Sequence, residues 1–248
     1  TRDDWEVMKE RFNPNTPGRV ADDLAERTAA AHARGSALTV QVNGPFWQLR
    51  EWCGFEGLCM LCIEDPEFVE EMTAFWTDFV SQMLARIFAN GALDRLGLSE
   101  DMAYKAHSMI SPAMTRRFLM PSYVQWVEQV KAAGCAIIDM DSDGCIEELI
   151  PIWIESGINV CDPIEVAAHN DIVEFRRRFG KHIGYTGGVD KRAMAAGGDV
   201  MLAELARIAP VVKDGGYIPG CDHGVPPDIS WPNFIYYGRE IAKLCGWL

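Results

Sequence analysis

Ala136-Ile137-Ile138-Asp139-Met140-Asp141-Ser142-Asp143-Gly144 is the stretch that decides the fold. A short apolar run passes directly into alternating acids and closes on a glycine. In a strand, side chains alternate with period two, so Asp139, Asp141 and Asp143 share one face. Three carboxylates pointing together repel one another unless protons, donors or a metal neutralise them. A strand ending in such a cluster is expected to meet a ligand. The competing reading makes Asp143-Gly144 only a turn and N-cap for the next helix.

Working outward, the same grammar recurs on both sides. Leu38-Thr39-Val40-Gln41-Val42 runs into Asn43-Gly44-Pro45, and Leu93 to Leu98 runs into Glu100-Asp101. Ile158-Asn159-Val160 leads to Asp162-Pro163, and His182-Ile183-Gly184-Tyr185 leads to Gly187-Gly188-Val189-Asp190. Gly216-Tyr217-Ile218 leads to Cys221-Asp222-His223. Helical stretches lie between these runs. Behind Asp65-Pro66, which supplies an N-cap and a first-turn proline, Phe68, Val69, Met72, Phe75, Trp76, Phe79, Val80, Met83 and Leu84 keep a helical period. That stripe reads as a helix face packed on a sheet. Ser111-Pro112 opens a helix reaching Gly134, with Pro121 expected to interrupt or kink it. Strands alternating with helices imply a parallel sheet, and in such folds ligands bind at the carboxyl ends of the strands.

Composition sets the remaining bounds. The 248 residues suit one large domain, 1–248, and 48% hydrophobic with 24% charged residues is ordinary for a globular protein. A net charge of −13 disfavours nucleic acid and anionic membrane surfaces as partners. Eight scattered cysteines do not form a disulfide pattern, so a reducing, cytoplasmic setting is expected. No apolar run is long enough to span a bilayer. Neither G-x-G-x-x-G nor G-x-x-x-x-G-K-[ST] occurs, which removes the nucleotide-binding signatures. An open parallel sheet of six is the alternative, but with no such fingerprint and tight connections the pattern favours an α/β (β/α)8 barrel whose first strands are either absent from this chain or not legible in it.

Several residues carry chemistry. His223 sits in a post-strand loop between Asp222 and Gly224, where Asp222 is placed to orient its ring. His32, His107, His169 and His182 fall on helix or pre-strand positions and read as surface or packing residues. Cys221 is a metal ligand or a small buried filler. Cys59-Met60-Leu61-Cys62 is a C-x-x-C without a second pair, and reads as helix core. Glu100 and Asp101 end a strand, where a buried acid with a raised pKa can donate a proton near neutrality. Pairing with Lys105 is the structural alternative. Arg50, between Trp47 and Trp52, has the fork that matches a carboxylate, with Lys105 and Lys191 as weaker anchors.

Glu100-Asp101-Met102-Ala103-Tyr104-Lys105, Ser111-Pro112, Asp139-Met140-Asp141-Ser142-Asp143-Gly144, Asp162-Pro163-Ile164-Glu165, Gly187-Gly188-Val189-Asp190-Lys191 and Gly215 to Gly224 resemble, in order and spacing, the uroporphyrinogen decarboxylase superfamily. Pro226-Pro227-Asp228, Asn233, Gly44-Pro45-Phe46 and Gly54-Phe55 extend the resemblance over most of the chain. It implies a (β/α)8 barrel whose full-length members carry early strands ahead of the region matched here. It also implies decarboxylation or related acid–base chemistry on a carboxylated tetrapyrrole-like substrate, with no cofactor. Under this reading His223, Asp101 and Glu100 handle protons, while Asp141, Asp143, Arg50 and Phe46 contact the substrate. The related corrinoid-dependent methyltransferases imply an alternative: zinc held by Cys221, Asp141 and Asp143, and a corrinoid protein as partner. In that branch a His-x-Cys pair stands where this chain has Asp141-Ser142-Asp143. Two carboxylates there weaken a zinc–thiol site and favour harder cations. A non-catalytic tetrapyrrole-binding or scaffold protein, and a homodimer, complete the expectations.

Overall fold

The computed structural model describes residues 2–248. Six strands alternate with helices and every ladder described below is parallel, giving an α/β fold with the strand–helix succession of a partial (β/α)8 type. The chain forms two compact units.

The first unit comprises Thr1–Ser99 and Ala113–Ile138. It holds α1 (Arg2–Lys9), α2 (Leu24–Ala33), β1 (Thr39–Asn43), α3 (Pro45–Cys53), α4 (Phe55–Glu64), α5 (Pro66–Asn90) and β2 (Arg95–Ser99). β1 pairs with β2 in parallel from Thr39 opposite Arg95 to Asn43 opposite Ser99. The long helix α5 starts where the sequence requires: the Asp65 carboxylate accepts the Phe68 N–H at 3.2 Å and Pro66 occupies the first turn. Its apolar face buries Phe68, Val69, Met72, Trp76, Phe79, Val80 and Leu84. Each such side chain contributes roughly 1.5–3 kcal/mol by leaving water. The helix opened by Pro112 is divided into α6 (Pro112–Met114), a π-helical turn (Thr115–Leu119) and α7 (Met120–Ala132). The irregularity expected near Pro121 therefore sits just before it. A proline has no N–H to donate, and it is tolerated here in the first turn of α7.

The second unit comprises Glu100–Pro112 and Asp139–Leu248. Its elements are the acidic end of β3 (Ile137–Asp141), then α8 (Ile150–Glu155), β4 (Val160–Ile164), α9 (Ile172–Phe179), β5 (Gly184–Val189), α10 (Lys191–Ala196), α11 (Gly198–Asp214), β6 (Tyr217–Cys221) and α12 (Trp231–Leu244). Asp139 lies opposite Val160 and Asp141 opposite Asp162. Val160 lies opposite Gly184, and β5 pairs with β6 from Tyr185–Tyr217 to Val189–Cys221. This register places Asp141 beside Asp162 and carries Cys221 to the end of β6. Ile138, Met140, Cys161, Ile164, Tyr185 and Val189 are buried, so these strands carry the apolar core of the unit. No helix among the described residues is long and apolar enough to cross a membrane.

Candidate functional site

The carboxyl ends of β3, β4 and β6 frame one open, polar cavity of about 340 Å³ in the second unit. Asp141, Asp143, Asp162, Pro163, Cys221, His223 and Gly224 line it. Asp141 and Asp143 are brought there by the strand period, and Cys221 and His223 by the last strand and its loop. The strand-end reading of Asp141, Asp143, Cys221 and His223 therefore converges on one place. Asp162 joins them although it was not singled out; its position at the end of the Ile158-Asn159-Val160 run was the available signal.

The turn after β3 is specified locally. Gly144 adopts φ +85, and a Cβ there would lie 2.4 Å from the Ala103 carbonyl oxygen, so only glycine fits. Backbone bonds pin residues 100–102 to the same place. The Glu100 N–H donates to Asp141 O at 2.9 Å, and the Met102 N–H donates to Ser142 Oγ at 3.1 Å. Glu100 is fully buried and Asp101 is held at φ +40. Both acids thus sit immediately behind Asp141, outside the cavity lining.

His223 has its hydrogen bonds assigned by geometry. The Gly224 N–H donates to Nδ1 at 2.7 Å, so Nδ1 is an acceptor. The ring proton then resides on Nε2, which donates to Asp143 Oδ2 at 3.1 Å. The pair is solvent-accessible, with 46% and 41% of the side chains exposed, so its energetic worth is small and its value lies in orientation. Asp143, eighty positions upstream, is therefore the ring's partner. Asp222, the sequence neighbour expected to orient the ring, is fully buried and turns away from it. Its carboxylate accepts the Val166 N–H at 2.9 Å and the Lys191 N–H at 3.1 Å. Burial raises its pKa above the usual carboxylate value, partly offset by those N–H bonds and by the Lys191 ammonium.

A zinc–thiol centre needs a thiolate with soft or borderline partners. Burial pushes the Cys221 thiol up. His223 is engaged by Asp143, and carboxylates stand where softer ligands belong. Among the described residues no group of three or more His, Cys, Asp or Glu is arranged to hold a metal ion. As positioned, the residues do not fit such a centre.

Of the remaining expected residues, Phe46, Arg50, Cys59 and Cys62 lie in the first unit and Lys105 and Lys191 in the second. Phe46 is buried in its core at 1% exposure, and the Arg50 guanidinium stacks 4.5 Å from the centre of the Trp47 ring. Cys59 and Cys62 lie on α4, and burial raises both thiols, Cys62 to about 11. Lys105 is exposed, whereas Lys191 lies 3.2 Å from Glu165.

Comparison with known proteins places these observations in a family context. The sequence model described as Uroporphyrinogen decarboxylase (URO-D) matches residues 3–237. Among solved structures, a methyltransferase from Methanosarcina mazei is similar at a TM-score of 0.61 and 13% sequence identity. The likeness covers 86% of this chain and 62% of that one, and at such identity it speaks for the fold. No curated protein matches the chain.

Proposed function

Because the chain belongs to the uroporphyrinogen decarboxylase family, we propose that the acidic cavity of its second unit binds the N–H face of a carboxylated tetrapyrrole-like molecule and directs proton transfer to it. The observation that carries this reading is the lining itself: three aspartates and one imidazole on a common cavity, with no lysine or arginine among them. Carboxylates accept pyrrole N–H donors well and repel carboxylate arms, so the cavity suits the ring centre of the substrate.

The chemistry follows from the His223 geometry. Proton uptake at Nδ1, replacing the bond from the Gly224 N–H, yields an imidazolium whose Nε2–H faces Asp143. Transfer of the proton to a pyrrole carbon makes the ring an electron acceptor. The C–C bond to the departing carboxylate then breaks, carbon dioxide leaves, and its electron pair returns to the ring. Asp141 and Asp162 hold the substrate while this happens; buried Glu100, with Asp101, is assigned to protonating the methylene carbon that carbon dioxide has left, and the ring carbon returns its proton to His223.

Carbon dioxide release from uroporphyrinogen is the direct test. Release by the parent chain that is nearly lost in His223→Ala and weakened in Asp141→Asn supports the proposal. Tight binding with no turnover in any variant identifies a tetrapyrrole-binding protein instead. Methyl transfer with a corrinoid partner is the second reading; Cys221 shares the cavity with Asp141 and Asp143, although as positioned they do not form a zinc–thiol centre. Near-stoichiometric zinc in protein purified without added metal would move the assignment to it.

A further inference from the structure

We propose that Asp222, Lys191 and Glu165 form a positioning relay that locks four strand-end loops together and thereby holds Asp143 and His223 within hydrogen-bonding distance. None of the three lines the cavity. Asp222 is fully buried, yet its two immediate neighbours, Cys221 and His223, both face the cavity. One carboxylate oxygen of Asp222 accepts the Val166 N–H, after β4, and the other accepts the Lys191 N–H, after β5. The Lys191 ammonium lies 3.9 Å from Asp222 and 3.2 Å from Glu165. Glu165 spends its other oxygen on the Gly144 N–H, at 3.0 Å, in the turn after β3. Asn170, also buried, reinforces that end: its amide donates to the Gly144 and Glu165 carbonyls and accepts the Ile146 N–H.

The bonds form a continuous chain from Gly144, next to Asp143, to Asp222, next to His223. The physical need for it is clear. Asp143 and His223 stand on separate exposed loops, and their own contact is too weak to fix either loop. A lysine between two carboxylates, largely withdrawn from water, holds its geometry far better than an exposed pair. Lys191 is the hinge of the device: its backbone and its side chain both address Asp222.

This inference rests on the reading of the cavity as the functional site, but its test needs no substrate. The ring carbon and nitrogen resonances of His223 are measured at one fixed pH in the parent chain and in Lys191→Met, Lys191→Arg and Asp222→Asn. Circular dichroism and thermal unfolding follow the fold in parallel. Lys191→Met and Asp222→Asn are expected to move the His223 signals toward those of a free imidazole, and Lys191→Arg to restore at least half of the parent shift. Folded variants with unmoved His223 signals overturn the relay. If the variants do not fold, amide hydrogen exchange of the parent chain decides. The Gly144, Val166 and Lys191 amides should exchange at least about 100-fold more slowly than unbonded loop amides; exchange at loop rates overturns it. Tetrapyrrole affinity is read separately. If the parent chain binds none while its His223 responds to Lys191→Met, the relay stands and the functional reading falls.

Discussion

The ends of β1 and β3 follow the same strand–turn–helix grammar yet do opposite things. In the first unit, the end of β1 is closed by its own neighbours. Trp76 Nε1 donates to the Asn43 carbonyl at 2.9 Å, and the Asn43 amide donates to Gln48 at 3.2 Å. Behind them Phe12, Trp52, Phe75, Trp76 and Phe79 pack largely edge to face, with centroids 5–7 Å apart. In the second unit, the end of β3 stays open. Asp141 and Asp143 line the cavity with Asp162, Cys221 and His223, and further polar bonds of the rim are made one layer behind. The difference teaches that strand ends with the same local grammar are closed by aromatic and amide partners in one unit and line a polar cavity in the other.

The comparison can be broken at several points. The largest effect is expected at His223→Ala, which should lower carbon dioxide release by about 10²–10⁴, the usual worth of a positioned proton donor. Its unfolding midpoint should barely move, and a large stability loss in a urea titration would make the ring structural. Trp76→Ala in the first unit should do the reverse. It removes a buried ring and the donor to Asn43, so we expect a loss of about 3–5 kcal/mol by denaturant unfolding. Normal stability in that variant would undo the description of the β1 end.

Asp141→Asn sharpens the contrast from the other side. Ligand affinity should drop about tenfold, equivalent to about 1.4 kcal/mol, with a smaller change in fold stability. Equal falls in calorimetric affinity and unfolding free energy would remove Asp141 from the site. Asp143→Asn should cost less than about 1 kcal/mol of stability, because its ion pair is exposed.

The smallest effects concern pH, and they carry opposite signs in the two units. Asp94 accepts the Leu38 N–H at 2.6 Å and bonds to His32, and these contacts lower its pKa from 3.8. Its contribution is present above 3.8 and is lost as pH falls through the lowered folded value. Asp222 has its pKa raised from 3.8, foremost by burial. The folded state binds that proton more tightly, so its contribution is full below 3.8 and is lost as pH rises through the raised value. Unfolding free energies measured from about pH 3 to about pH 6 should therefore lose part of their acid-side fall in Asp94→Asn. In Asp222→Asn they should lose part of their decline toward higher pH. Matching slopes in both variants would refute the assignment.

The sequence carried the architecture because local rules express it. Apolar runs such as Ile137-Ile138, capping residues such as Asp65 and the glycine at position 144 each specify their own segment, and together they dictate six strands alternating with helices. The chain also announced that strand ends bear acids. Which acids share a cavity is a different kind of fact. The register of Asp141 against Asp162 and the meeting of Asp143 with His223 join segments far apart in the chain, and no local propensity encodes such distances. Asp222 shows the same limit most plainly. Its place beside His223 suggested that it serves the ring, but loop backbone geometry turns it inward, where unsatisfied N–H groups of two other loops demand an acceptor. Periodicity and turn chemistry were written in the sequence. The pairing of distant polar groups was decided only in the folded structure, because burial makes each of them find its partner in space.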